Sequence, residues 1–254
     1  MNTRIRFATL STACALMLAA GLAQAQVTID QNKALAGNIT AGDGAGFPIT
    51  ITQSGSYKLT GNLVVPAGAR GIVVTAPQVS IDMNGFSLTG PSTCTRDIST
   101  KVVACSYADG TTHGIDAGAG SGTVVRNGTV KGFAGHGIHA GTMDRYEALR
   151  LTENWSGLQS LSRSQSISSC IVDTNGNSGI VAAFALITNC RVVQNGGDGI
   201  AGSSGTLVST SEVSSNRLVG LNGVVARGTH LESNGTNRAG GFSMGGNLDS
   251  ITAF

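Results

Sequence analysis

The sequence predicts an all-β solenoid: a rod of about seven to eight stacked coils with a period near 21 residues. Three observations carry this. A glycine followed by one large apolar residue recurs at Gly114-Ile115, Gly137-Ile138, Gly157-Leu158, Gly179-Ile180, Gly199-Ile200, Gly220-Leu221 and Gly241-Phe242. The spacings are 23, 20, 22, 20, 21 and 21 residues, and a period of this size marks a coiled repeat. Further apolar columns fall in register with it: Val130, Leu151, Val172, Val192, Val213 and Leu231, and Val125, Tyr146, Ile167, Ile187 and Val208. Finally, an asparagine column, Asn154, Asn175, Asn195, Asn216 and Asn234, keeps the same phase.

Each coil therefore offers short stretches of period-2 alternation separated by Gly, Asn or Ser, the pattern of strands joined by turns. One coil cannot bury its apolar face alone, so equivalent strands must stack in parallel, about 4.8 Å apart. The asparagines are expected to be structural. Asn tolerates left-handed backbone at a corner, and its amide can bond the amide one coil away. Cys170 and Cys190 share an inward column with Gly128, Leu149 and Ser211, and are expected as buried free thiols, with a bridge between the adjacent strands as the alternative.

Composition agrees. Glycine supplies 37 of 254 residues, and only 12% of the chain is charged. Residues 1–25 read as a signal peptide, with Arg4 and Arg6, an apolar run and an Ala23-Gln24-Ala25 cleavage pattern. Removing them leaves 14 basic against 14 acidic residues, so the mature chain is neutral. No basic run offers a footprint for nucleic acid, and no apolar stretch makes a good membrane span. The expected location is the periplasm or the exterior. Residues 26–70 are expected to form an N-terminal cap and first coil, and 71–254 the solenoid.

Segment 91–113 breaks the register and reads as an insertion, with Asp109-Gly110 at a turn. Cys94 and Cys105 both lie in it, and a bridge between them would staple a loop that has no core of its own. The last coil has little chain to cover it, so its open edge suggests end-to-end association or an incomplete final coil. A strict monomer at high concentration would count against association.

The stretches Ser54–Leu63 (SGSYKLTGNL), Gly71–Val74 (GIVV) and Val79–Gly90 (VSIDMNGFSLTG) resemble the opening coils of the pectate-lyase-like superfamily. The resemblance covers nearly all of residues 47–250. It implies a right-handed parallel β-helix, and it does not fix an activity, because that fold hosts lyases, hydrolases, epimerases and scaffolds. Leucine-rich repeats are the competing architecture, since Leu149–Asn154 and His230–Asn234 echo their core pattern. Most coils lack the required leucines.

Chemistry-bearing residues are few. Gly135-His136-Gly137 equals an element of polygalacturonase-type hydrolases, whose other motifs are missing here. Asn195–Gly199 (NGGDG) reads as a plain turn. The densest charge cluster, Asp144-Arg145-Tyr146-Glu147, suggests an Asp–Arg surface pair around an inward tyrosine. Trp155, the only tryptophan, stands at a corner, where it either stacks on a sugar or covers a coil edge. The strongest constellation is His113, Asp116, His136 and His139. His113 and His136 precede the Gly-Ile pair on neighbouring coils, while Asp116 and His139 follow the inward isoleucine and point outward. Gln159 and Asp198 are expected on the same face, with the insertion as a roof. Imidazoles with a carboxylate suit a divalent metal or acid–base chemistry.

No complete catalytic set is visible, and no cofactor is evident beyond that divalent metal. The first reading is a noncatalytic polysaccharide-binding or envelope scaffold protein. The second is a polysaccharide-active enzyme, and the third a periplasmic metal-handling protein.

Overall fold

The computed structural model describes residues 26–107, 112–160, 162–203, 205–243, 245–246 and 248–250. Residues 1–25, which the sequence reads as a signal peptide, Asp109-Gly110 and Phe254 lie outside the described residues. The chain winds into a right-handed parallel β-helix of about nine turns, slightly more than the repeat count suggests.

Each regular turn contributes three strands, and like strands pair in parallel along the rod. The Gly-Ile column forms one ladder of nine strands, from Ile49–Ile51 through Ile72–Val74, Ile115–Asp116 and His136–His139 to Thr236–Ala239. The other two ladders carry the tyrosine and valine columns. They merge into one 17-stranded sheet because Val124–Lys131 and Arg145–Thr152 run through both.

The columns read from the sequence are the ladders' registers. Ile115 pairs Ile138, Ile138 pairs Leu158, and Ile180 pairs Ile200. Tyr146 lies between Val125 and Ile167, and Leu151 between Val130 and Val172. All of these side chains are buried. The only helix among the described residues is Gln31–Ala36, whose N-terminus is capped by the Asp30 carboxylate accepting from Lys33 N–H at 2.9 Å. A leucine-rich repeat, which needs a helix or 3₁₀ segment in every coil, is thereby excluded.

Four expectations are corrected. Gly241-Phe242 does not continue the Gly-Ile ladder: Phe242 pairs Val225 in the tyrosine ladder, and Arg238 stands opposite Leu221. The cause is a short last turn, because Asn216 and Asn234 are 18 residues apart instead of 20 or 21. Nor are the left-handed corner residues the asparagines. They are the residues just before them, Glu153, Thr174, Gln194, Ser215 and Ser233, with φ of 53–61°. The asparagines turn inward and bond backbone, as their complete burial requires for Asn154, Asn175, Asn195 and Asn216.

Asp144 is also not a surface partner of Arg145. It is buried, and its carboxylate accepts from Thr123 N–H, Gly141 N–H and the Tyr146 hydroxyl at 2.7–2.8 Å. Arg145 reaches Glu147 instead. Burial raises the Asp144 pKa in spite of those bonds, and desolvation pushes the Tyr146 hydroxyl far up.

The insertion is an antiparallel hairpin, Thr93–Arg96 against Val103–Ser106, closed by the Cys94–Cys105 disulfide. It does not roof the histidines. It lies along the asparagine corner: Arg96 donates to Ser215 O, Lys101 donates to Ser233 O, and Tyr107 meets Trp155 edge to face. Glycines make that track flat. A Cβ at Gly176 would collide with Tyr107 and Cys105, and one at Gly196 would stand 3.2 Å from Val103. An isolated two-stranded hairpin is marginal in water. Replacing both cysteines by serine should therefore free residues 93–106 for proteolysis while leaving the rod's melting temperature nearly unchanged. Cys170 and Cys190, in contrast, are buried and free.

Candidate functional site

Two surfaces gather chemistry, and they lie on different ladders. The first is on the Gly-Ile ladder, where the register places Asp116 directly beside His139. Inward Ile115 and Ile138 are fully buried, so alternation turns Asp116 and His139 outward on adjacent strands. His139 Nδ1 lies 2.9 Å from Asp116 Oδ1, and Arg70 donates to Asp116 Oδ2 at 2.8 Å. One residue before the glycine column, the rings of His113 and His136 stack 5.0 Å apart and within 7° of parallel. The His113 ring is also 5.0 Å from that of His139.

All four residues singled out in the sequence thus form one patch. Gln159 joins it, paired in register with His139. Asp198 does not: its carboxylate accepts from Val219 N–H at 3.0 Å and from the Asn222 amide at 2.9 Å. The hydrogen bond from His139 holds Asp116 down to about 2. Burial, aided by repulsion from the other imidazoles, pushes His136 down to about 4 and lowers His113. At neutral pH the patch presents an ionised carboxylate and two uncharged imidazoles. His113, Asp116 and His139 have ligand atoms all within 4.8 Å of one another.

The second surface is a groove of about 620 Å³ on the 17-stranded sheet. Asn84, Asn127, Ala148 and Ser169 line it, and all four are left-handed corner residues of successive coils. It adjoins a second depression of about 280 Å³ that contains Ser87, Lys131 and Glu153, and Thr129 and Arg150 line both. The valine ladder explains the polarity. Inward Val130, Leu151 and Val172 alternate with outward Thr129 and Lys131, Arg150 and Thr152, Ile171 and Asp173. Arg150 is held by two bonds to Asp173, at 2.9 and 3.0 Å. Lys131 has no side-chain partner among the described residues.

Sequence reasoning missed this groove. Its signal was present, in the polar residues flanking each valine, but attention to inward columns passes over outward ones. Trp155 remains 42% exposed behind its contact with Tyr107, so it has surface to offer as well as an edge to cover.

No protein-family model and no curated protein sequence matches the chain. Solved structures match in fold. Pectate lyase Pel9A aligns with a TM-score of 0.54 at 13% identity, over 82% of this chain and 65% of that one. The Dettilon tailspike protein gp208 gives 0.53 at 16%, over 79% and 52%. The A-module of the Azotobacter vinelandii mannuronan C-5 epimerase AlgE6 gives 0.50 at 13%, over 78% and 61%. This chain therefore spans between about half and two thirds of the length of these proteins. At such identities the likeness is one of architecture: these proteins and this chain share the parallel β-helix fold.

Proposed function

We propose that this chain is an exported, noncatalytic polysaccharide-binding scaffold, with the groove on the valine ladder as its binding face. The single observation that carries the reading is the groove itself. It crosses four coils, roughly 14 Å at ladder spacing, and offers a row of hydroxyls and amides, a held guanidinium and the exposed aliphatic side chain of Ile171. An extended sugar chain needs such a surface: polar groups to bond its hydroxyls, and apolar area against its ring faces. The fold likeness to a pectate lyase, a tailspike and a mannuronan epimerase supports a polysaccharide as ligand class. The Cys94–Cys105 disulfide supports export to an oxidising compartment, and among the described residues no helix is long and apolar enough to cross a membrane.

The test is a panel of uronate and neutral polysaccharides, scored for binding and for chain cleavage or epimerisation. At least one should bind without chemical change. Thr129→Trp, which plugs the groove where its two halves meet, should weaken that binding by about tenfold or more, as should Lys131→Ala, in line with the loss of one charged hydrogen bond. Turnover of any glycan would make the chain an enzyme instead. Absence of binding across the panel would end the proposal.

A further inference from the structure

We propose that His113, Asp116 and His139 form a binding site for one divalent transition-metal ion of the zinc or copper class. The site stands on the Gly-Ile ladder and not in the groove, so it does not depend on the polysaccharide reading.

Geometry carries the assignment. Two imidazoles and one carboxylate already converge, with every ligand atom within 4.8 Å of the others. Donors held tetrahedrally about 2.1 Å from one ion lie about 3.4 Å apart, so the set closes by no more than about 1.4 Å. Each ligand is oriented by hydrogen bonds within the patch. His113 Nδ1 accepts from His136 N–H at 3.1 Å, which fixes the ring; the neutral ring then carries its proton on Nε2, and an ion binds by displacing that proton or by taking Nδ1 from its backbone partner. Arg70 donates to Asp116 Oδ2, while Oδ1 meets His139 Nδ1 at 2.9 Å and accepts from Gly118 N–H at 3.2 Å, so both carboxylate oxygens are held in place. Such outer contacts are what hold metal ligands in place. The parallel His136 ring fixes the plane of His113 from one side. His136 Nδ1 is itself buried without a hydrogen-bond partner among the described residues, so this face holds polar capacity that the protein does not satisfy.

Donor chemistry selects the ion. Two nitrogens and one carboxylate oxygen suit zinc and copper, whereas calcium and magnesium require mostly oxygen ligands. Three protein ligands leave a fourth position to solvent or to a guest molecule.

The experiment uses the untagged mature chain titrated with Zn(II) or Cu(II) by calorimetry, with Ca(II) as the contrast. One equivalent of transition metal should bind at micromolar or tighter Kd, and calcium should not bind at this site. The Cu(II) form should show nitrogen hyperfine coupling from two imidazoles in its electron paramagnetic resonance spectrum, a readout that needs no variant. His113→Ala and His139→Ala should each weaken binding at least tenfold, while His230→Ala, remote and paired with Glu232, should not. Lack of stoichiometric binding, or binding that survives both substitutions, would overturn the site. Glycan binding by the same variants is expected to be unchanged, so failure here and failure of the groove are separable.

Discussion

Asn175→Ala is expected to destabilise the rod by about 3–4 kcal/mol, read as a lower urea midpoint and a melting temperature reduced by roughly 6–16 °C. Asn175 is completely buried. Its amide donates to Leu151 O at 3.0 Å, to Asp173 O at 3.2 Å and to Asn195 Oδ1 at 2.9 Å. Its own Oδ1 accepts from the backbone N–H of Asn154 at 3.0 Å and from the Asn154 amide at 3.2 Å. Truncation leaves a buried N–H and buried carbonyls without partners, and the cost comes from those orphans more than from the bonds lost. Asn234 makes nearly as many bonds at the far end of the same column but is only half-buried, so water can replace the partners it loses and Asn234→Ala should cost less.

Asn175→Asp sharpens the test, because it keeps the shape and removes the donors. The new carboxylate would face Leu151 O and Asn195 Oδ1, both acceptors, so its folded-state pKa must rise above the unfolded value near 4. A raised carboxyl pKa means that the folded state binds more protons than the unfolded one as pH rises past 4. Stability relative to wild type should be best below pH 4 and fall by about 1.4 kcal/mol per pH unit above it, until the folded-state pKa is reached. A variant indistinguishable from wild type at pH 7 would show that the amide ladder contributes nothing.

How much of this was legible follows from what a period can encode. A repeat fixes which residues are equivalent, and equivalence in a solenoid is pairing, so Ile138 beside Ile115 and Tyr146 beside Val125 could be read without coordinates. The same logic brought His113 over His136 and Asp116 beside His139. It failed where the period fails. The last turn loses three residues between Asn216 and Asn234, so Gly241-Phe242 keeps the sequence phase and leaves the ladder. It also failed for contacts between non-equivalent residues. Nothing in the spacing says that the 93–106 hairpin folds along the corner toward Ser215 and Ser233, because that path is chosen by Gly176 and Gly196, whose lack of side chains is visible only once the coils are stacked. Asp144 was misread for a related reason: adjacency in sequence suggested Arg145, whereas alternation sends the two side chains to opposite faces.

Gly179→Ala is expected to cost about 3 kcal/mol, although it adds one methyl group to a residue with ordinary negative φ. The glycine column that reveals the repeat is therefore not a column of turns. A Cβ at Gly179 would stand 2.6 Å from Val192 Cγ1, 2.8 Å from the Asn195 amide nitrogen and 2.8 Å from Gly199 O. The first belongs to the valine ladder, the second to the asparagine ladder and the third to the next turn of the same strand ladder. A methyl placed there must displace all three, and two of them are fixed, one as backbone and one within a chain of buried amide bonds. Overpacking of this kind costs about 1–3 kcal/mol, and the upper end applies where neighbours cannot yield. Gly61→Ala is the control, since nothing lies within 4 Å of a Cβ there, and its effect should stay within about 0.5 kcal/mol. The comparison, made by urea denaturation followed by circular dichroism, separates close approach from loss of backbone freedom. Equal effects at the two positions would mean that glycine is kept for its flexibility. A large effect at Gly179 alone would mean that each coil sets its distance from the next through the one residue with no side chain.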